Sequence, residues 1–228
     1  MSGGLAERLA AVRARVADAA RAAGRPAGAV TTIVVTKFHP ASLVRELLEL
    51  GVRDLGENRH QEAAAKAAEI GDPRARWHFI GQLQSNKARA VRDYAASVQS
   101  LDRPSLVAAL AGGPQPGRAP LDVLIQVDLS GEPGRGGVAP AGLEPLAERV
   151  LGASGLRLRG LMAVAPLGAE PRRAFAEVRG LGERLRALEP AADWLSMGMS
   201  GDFVEAVAEG ATHLRIGTAI TGKRPPAP

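Results

Sequence analysis

Lys37 is the residue whose position in this chain points most directly to chemistry. Lysine is scarce, and the other lysines are Lys66, Lys87 and Lys223. Lys37 follows the β-branched run VTTIVVT (residues 30–36), so in a parallel α/β barrel it would lie at the C-terminal end of the first strand, where such barrels build their active sites. A partly desolvated lysine there can attack an aldehyde and hold it as an imine. The alternative is a strand-end lysine that extends to water, and position alone leaves both open.

Two turns near the end of the chain have the composition of an anion site. LSMGMSGDF (residues 195–203) and LRIGTAITG (residues 214–222) end the last two predicted strands. Glycine lets the backbone approach a ligand, and free N–H groups at the start of a helix favour an anion. Hydroxyls come from Ser196, Ser200 and Thr218. Because barrel phosphate sites recur after strands seven and eight, this pair predicts a phosphate site. The alternative is that the glycines serve only tight turns.

Arg215 lies two residues before Gly217, so strand alternation puts both on the same side, with Arg215 deeper in the barrel. A buried guanidinium needs an acceptor, and the two candidates are a pyridine nitrogen and a structural carboxylate. Glu57 and Asn58, at the end of the second predicted strand, also cluster toward the mouth. His78, near the third strand, reads as a hydrogen-bonded core residue. The histidines show no metal-ligand spacing, so no metal site is predicted.

These residues require a scaffold in which short apolar strands alternate with amphipathic helices, which is typical of a parallel sheet covered by helices. The predicted strands are 30–36, 52–56, 77–81, 97–101, 121–129, 156–163, 194–197 and 213–217. The predicted helices are 5–23, 41–50, 59–70, 86–94, 104–111, 140–151, 171–188 and 200–209. Eight strands favour a closed (β/α)8 barrel of the TIM type, preceded by an extra N-terminal helix.

The composition sets limits on the class of protein. With 228 residues, 46% of them hydrophobic, we expect a single domain over residues 1–228, ordered from about 5 to 224, with surface loops at 111–120 and 131–137. The absence of cysteine excludes disulfides and thiolate chemistry. No apolar run approaches the roughly 20 residues of a membrane span, and no secretory signal is visible, so a cytoplasmic location is expected. A net charge of +5 with 3% aromatic residues does not favour a nucleic-acid partner.

Six segments of the chain resemble the pyridoxal phosphate homeostasis proteins, also called the YggS/PROSC family. They are VTKFHPAS (35–42), LGENRHQE (55–62), WHFIGQLQSNK (77–87), GLMAV (160–164), LSMGMSGDFVEAVAEGAT (195–212) and LRIGTAITG (214–222). The segments occur in the family's order and span almost the whole chain. The resemblance implies a barrel like the N-terminal domain of alanine racemases, with pyridoxal 5'-phosphate as its cofactor.

The resemblance also implies roles for individual residues. Lys37 would form the imine (a Schiff base), Arg215 would face the pyridine nitrogen, and Asn58 would lie near the ring. The phosphate would be held by Ser200, Gly217 and Thr218, with help from Ser196 and Met199. Two departures from the family pattern are Phe38, where a small residue is more usual, and the stretch 132–135 (EPGR), which replaces a Glu-Ser-Lys stretch.

The function expected from these residues is reversible binding of pyridoxal phosphate by a carrier or regulator without strong catalysis. A guanidinium can only donate to an unprotonated pyridine nitrogen, so carbanion chemistry would be poorly supported. Racemases of this type draw a tyrosine from a second domain, whereas the only tyrosine here, Tyr94, is predicted on an outer helix. The expected partners are the cofactor and apo-enzymes that accept it, and a monomer is expected.

Two alternatives remain open at this stage. The first is an amino-acid racemase-like enzyme that uses Lys37 as its base with a water or His78 opposite. The second is a nucleic-acid-binding barrel that uses its arginine-rich surface.

Overall fold

Eight parallel strands, each hydrogen-bonded to the next along the chain, close into a barrel through pairing of the first strand with the eighth. The structure is a computed structural model that describes residues 4–111, 119–132 and 134–223. The strands are β1 (Thr31–Val35), β2 (Asp54–Glu57), β3 (Arg76–Phe79), β4 (Ala95–Leu101), β5 (Leu121–Gln126), β6 (Leu156–Met162), β7 (Trp194–Ser196) and β8 (His213–Ile216). The predicted (β/α)8 barrel is confirmed, and each predicted strand overlaps an observed one.

Helices connect successive strands and cover the outside of the barrel. They are α1 (Leu5–Ala22), α2 (Ala41–Glu49), α3 (His60–Ile70), α4 (Ala88–Arg92), α5 (Pro104–Ala111), α6 (Leu143–Leu151), α7 (Pro171–Leu188), α8 (Phe203–Ala208) and α9 (Thr218–Thr221). The predicted extra N-terminal helix is α1, which packs against α8 and α9. Nε of Arg8 fixes this packing by donating to the Ile220 carbonyl at 2.7 Å.

Three helical predictions differ from the structure. The predicted helices 86–94 and 140–151 begin as short 3-10 turns, Ser85–Lys87 and Pro140–Gly142, before α4 and α6. The predicted helix 200–209 begins only at Phe203, because the Asp202 carboxylate accepts from the Met199 N–H at 2.6 Å and closes a turn there. Helix α9 was not predicted, since four residues are too few to show a helical period.

Alternation along β1 shows how the barrel divides its core into two layers. Val34 belongs to the apolar layer between strands and helices. Ile33 and Val35 face the interior, where a Cβ added to Gly56 would lie 3.0 and 3.3 Å from their side chains. Residues two apart on a strand share a face, so the same alternation directs Lys37 toward the interior side of the mouth.

The predicted loops and tail fall partly outside the described residues. Of the predicted loop 111–120, residues 112–118 lie outside them, as do residue 133 of the loop 131–137 and the predicted tail 225–228. In the described part of the second loop, Nη1 of Arg135 lies 3.3 Å from Oε2 of Glu132. Among the described helices, none has both the length and the apolar character that crossing a bilayer requires.

Candidate functional site

A cavity of about 350 Å³ opens at the C-terminal mouth of the barrel. Its lining includes seven of the eight predicted site residues, namely Lys37, Asn58, Met199, Ser200, Arg215, Gly217 and Thr218. Val35, Ile80, Val164 and Gly201 complete the walls. A volume of this size is within the range of small-molecule and cofactor sites. The closed barrel therefore brings together side chains that are up to 183 positions apart in the sequence, from Val35 to Thr218.

Lys37 lies two residues beyond the end of β1, at the rim of this cavity. The Thr36 N–H still donates to the Gly56 carbonyl at 3.0 Å, so the strand pairing continues to the residue before the lysine. The Lys37 side chain is exposed to solvent, in contrast to the partial burial expected from the sequence. Its amine can therefore be reached both from the cavity and from bulk water.

The turn that carries Lys37 has an uncommon backbone conformation. Phe38 has a φ of +68°, in the left-handed region that bulky L-residues rarely adopt. Helix α3 holds this turn from both sides. The Glu62 carboxylate accepts from the Phe38 N–H, and Nζ of Lys66 donates to the Thr36 carbonyl at 2.8 Å. The backbone before and after Lys37 is thus tied to a rigid element.

Under this turn, the buried side chains of Lys66 and Glu57 form an ion pair, and the partly buried Glu62 also pairs with Lys66. Nζ of Lys66 donates to Glu57 and to Glu62, at 2.7 Å in each case. The hydroxyl of Thr36 donates to Glu57 at 2.6 Å. Burial raises the pKa of Glu57, and the bonds from Lys66 and Thr36 oppose that shift. The i,i+4 spacing of Glu62 and Lys66 was visible in the sequence, but the contact of Lys66 with Glu57 was not.

Arg215 is buried and lines the floor of the cavity. Its Nη1 donates to the Ser196 hydroxyl at 2.8 Å and its Nη2 to the Ala163 carbonyl at 2.8 Å. Desolvation lowers the pKa of Arg215 to about 10, which leaves it charged at neutral pH. No carboxylate in the described part of the chain lies within ion-pair distance of it. The structural carboxylate considered from the sequence is therefore not what Arg215 binds here, and N–H donors remain for an acceptor in the cavity.

Ser196 lies apart from the other seven predicted site residues. It does not line the cavity but is completely buried beneath it. Its hydroxyl donates to Oε1 of Gln99 at 2.7 Å and accepts from Arg215, so it helps to hold the guanidinium in place. Ser196 is the last residue of β7 and lies inside the barrel, among the described residues beneath the cavity. Gln99, which this bond depends on, was missed because its partner is 97 positions away.

The two glycine-containing turns meet on one side of the cavity. The Arg215 N–H donates to the Gly198 carbonyl at 3.0 Å, which links β8 to the turn after β7. Gly217 precedes the first residue of α9, and the Thr218 side chain is exposed beside it. Ser200 lines the cavity from the other turn. Met199 also lines it, but its N–H is already occupied by Asp202.

The comparison with known proteins decides the family. A family model described as alanine racemase, N-terminal domain, matches residues 8–225. The pyridoxal phosphate homeostasis protein of Pseudomonas aeruginosa is 46% identical over 220 residues, which cover 96% of each chain. The chain belongs to the family of pyridoxal phosphate homeostasis proteins. The family predicted from the six sequence segments is thereby confirmed.

Solved structures agree with this family and with the fold. The structure of PipY from Synechococcus elongatus, with PLP bound, is 38% identical, with a TM-score of 0.83, and the match covers 96% of this chain and 100% of that one. Alanine racemase from Corynebacterium glutamicum is 17% identical, with a TM-score of 0.72, and the match covers 95% of this chain and 61% of that one. This second likeness shows the barrel fold alone, as the family's resemblance to racemase barrels implied.

Two residues considered for an enzymatic role lie away from the cavity. His78 is a buried core histidine, as expected, with its ring nitrogens 2.8 Å from Oγ of Ser97 and 2.9 Å from Oδ1 of Asp54. Tyr94 lies after the end of α4 and not on a helix, and its ring stacks on His60 at 6.0 Å between centroids. Neither side chain lines the cavity. The rival role of His78 opposite Lys37 therefore has no geometric support.

Proposed function

We propose that this chain binds pyridoxal 5'-phosphate in the cavity at the barrel mouth and acts in the cytoplasm as a carrier or regulator of that cofactor. Support comes from the family name of its relatives and from the PLP-bound state of PipY. The single observation that carries the proposal is the meeting of a primary amine, Lys37, with two glycine-containing turns on one cavity of about 350 Å³.

The residues present fit each part of such a molecule. When bound, the cofactor supplies an aldehyde that condenses reversibly with primary amines, and Lys37 offers that amine. Ser200, Gly217 and Thr218 offer hydroxyl and backbone donors to a phosphate. Arg215 offers N–H donors to an unprotonated ring nitrogen.

Asn58 gives an independent test of the fit. Its Oδ1 atom is buried and has no hydrogen-bond partner among the described residues, which costs free energy unless a ligand donor fills the place. Gly81 makes this position possible, because a Cβ there would lie 2.2 Å from the Asn58 carbonyl oxygen. The backbone of the loop after β3 therefore approaches the backbone of Asn58 closely, and Asn58 lines the cavity. A hydroxyl beside the ring of a bound ligand would satisfy this acceptor.

The lining of the cavity favours a carrier over a catalyst. None of its described lining residues is an aspartate, glutamate, histidine or tyrosine, so no acid or base stands opposite Lys37. Arg215 keeps a positive charge where catalysts that stabilise carbanions place a carboxylate. The exposed amine of Lys37 is also open to exchange with other amines. Acceptance of the cofactor by apo-enzymes, and a monomeric state, remain predictions.

The proposal is tested by the absorbance spectrum of the purified protein with pyridoxal phosphate. We expect a band near the visible edge that borohydride removes, with the added mass located on the peptide that contains Lys37. Lys37→Ala should abolish the band, whereas the exposed Lys223→Ala should keep it. A band of full strength in Lys37→Ala would refute the proposal. When the protein with bound cofactor is incubated with amino acids in deuterated water, we expect no fast exchange of their Cα hydrogens for deuterium. Fast exchange would mean that the protein is an enzyme and not a carrier.

A further inference from the structure

A second and larger cleft, of about 540 Å³, opens beside the cofactor cavity. Asn58 lines both, so the two spaces meet at this residue. The walls of the cleft come from the start of α3, from the segment between β3 and α4, and from the residues after β4. Its lining is largely polar, with the amides of Gln82 and Gln84 exposed to solvent. None of the functions assigned above uses this cleft.

The cleft carries an excess of positive charge. Arg103 is paired with Asp102 at 2.6 Å and also donates to the Leu83 carbonyl at 2.7 Å. Arg59 and Lys87 have no carboxylate within ion-pair distance among the described residues. Two cations without a counter-charge, in a concave polar site, favour a carboxylate or phosphate ligand through charge-assisted hydrogen bonds.

One of these cations lies close to the amine that would hold the cofactor. The ring of Phe38 is 5.9 Å from Nζ of Lys37 and 5.3 Å from Cζ of Arg59, measured to the ring centroid. Lys37 and Arg59 therefore flank one aromatic side chain. Arg59 thus lines the cleft and also lies beside the same aromatic ring as Lys37.

From this arrangement we infer that the cleft is the subsite for primary amines that carry a carboxylate, of the amino-acid class, which take the cofactor from Lys37. The inference rests on the proposed function. The exchange is balanced without any further reactant. The incoming nitrogen forms the double bond to the aldehyde carbon, the bond from that carbon to Lys37 breaks, and the two protons of the incoming amine pass to Lys37.

The ligand needs an amine, which reacts in the cofactor cavity, and a carboxylate, which binds in the neighbouring cleft. The imine that holds an aldehyde-bearing cofactor exchanges with a second primary amine. Arg59 and Lys87 add a preference for a carboxylate on the same molecule, because each can donate charge-assisted hydrogen bonds to it. The amides of Gln82 and Gln84 can bind its remaining polar groups. A primary amine without a carboxylate would react at the same carbon but would form no charge-assisted hydrogen bond with Arg59 or Lys87.

The decisive experiment compares release of the cofactor by glutamate with release by ethanolamine, at equal concentrations of free amine, followed as loss of the Lys37-dependent absorbance band. We expect glutamate to act about tenfold more efficiently, the worth of one charge-assisted hydrogen bond. Arg59→Gln and Lys87→Gln should each remove most of this preference while leaving release by ethanolamine unchanged. Arg89→Gln, an exposed arginine of α4 outside the cleft, should retain it.

A second measurement uses the protein without cofactor. Titration with glutamate should shift amide resonances of residues 58–61 and 82–87, and the shifts should weaken in Arg59→Gln but not in Arg89→Gln.

Equal release by the two amines, or a preference that survives both cleft variants, would overturn the inference and leave the proposed function intact. If pyridoxal phosphate never gives a Lys37-dependent band, the proposed function fails as well. Shifts produced equally by inorganic phosphate would make the cleft a general anion site and overturn the assignment to carboxylate-bearing amines.

Discussion

Nζ of Lys66 lies 2.7 Å from Oε1 of Glu57, and both side chains are buried beneath the turn that carries Lys37. Lys66 is 6% and Glu57 1% exposed, so neither charge can be solvated if its partner is lost. The same amine binds the Thr36 carbonyl, one residue before Lys37. The pair therefore connects the stability of the barrel to the geometry of the proposed cofactor amine.

Removal of Lys66 should destabilise the protein and also weaken the cofactor band. Lys66→Met leaves Glu57 buried without its cation, and the free energy of unfolding should fall by about 3–5 kcal/mol. Urea unfolding would measure this change, with the exposed Lys223→Met as the control. Adding Glu57→Gln to Lys66→Met should restore part of the stability, because no buried charge then remains unpaired. A double variant as unstable as Lys66→Met would contradict this account.

We expect Ser196 to position Arg215 and Ser200 to bind phosphate. Ser196→Ala removes the hydroxyl that donates to Oε1 of Gln99 and accepts from Nη1 of Arg215, so the free energy of unfolding should fall by roughly 1–3 kcal/mol. Its affinity for inorganic phosphate, measured by NMR titration, should stay unchanged. Ser200→Ala should weaken phosphate binding with little loss of stability, since Ser200 lines the cavity. Equal losses of phosphate affinity in both variants would mean that Ser196 contacts the ligand after all.

Filling the cavity should block the cofactor without unfolding the barrel. A Cβ added at Gly201 meets nothing within 4 Å, and this residue lines the cavity. Gly201→Val should lower the affinity for pyridoxal phosphate by about tenfold or more, while the free energy of unfolding changes by about 0.5 kcal/mol or less. Gly180→Val is the matched control, because a Cβ on that glycine of α7 also meets open space. Unchanged affinity in Gly201→Val would place the cofactor elsewhere.

His213 should make the barrel less stable in acid. Desolvation, with the nearby His78 adding to it, lowers the pKa of His213 from 6.5 to about 3 in the folded state. The unfolded chain therefore takes up a proton at this residue first as the pH falls. The resulting loss of stability begins near pH 6.5, grows by at most about 1.4 kcal/mol per pH unit, and levels off near pH 3.

The measurement is urea unfolding of wild type and His213→Phe between pH 7 and pH 4. Phenylalanine keeps an aromatic ring against Trp194, whose ring lies 4.3 Å from that of His213 between centroids. We expect the wild type to lose stability more steeply than the variant over this range. Parallel pH dependences would show that His213 is not the group responsible.

Much of the fold could be predicted because its determinants are local. The β-branched run before Lys37 defines β1, and proline and glycine mark the helix ends, so strand order and helix positions follow from short stretches of sequence. The same local patterns placed Lys37 at a strand end and the small residues of 214–222 at a turn. Boundaries shifted by a few residues where side-chain bonds, such as that of Asp202, closed a turn before the helix began.

What only the tertiary structure decided are contacts between side chains far apart in the sequence. Closure of the barrel brings Ser196 to Gln99 and moves it beneath the cavity, and it brings Lys66 under the turn of Lys37. It also joins two spaces at Asn58, one lined by the glycine-containing turns and one by cations. Periodicity in a sequence tells which face of a strand a residue occupies. The layer that the residue reaches, and its partner there, depend on strand register and closure, which no local pattern encodes.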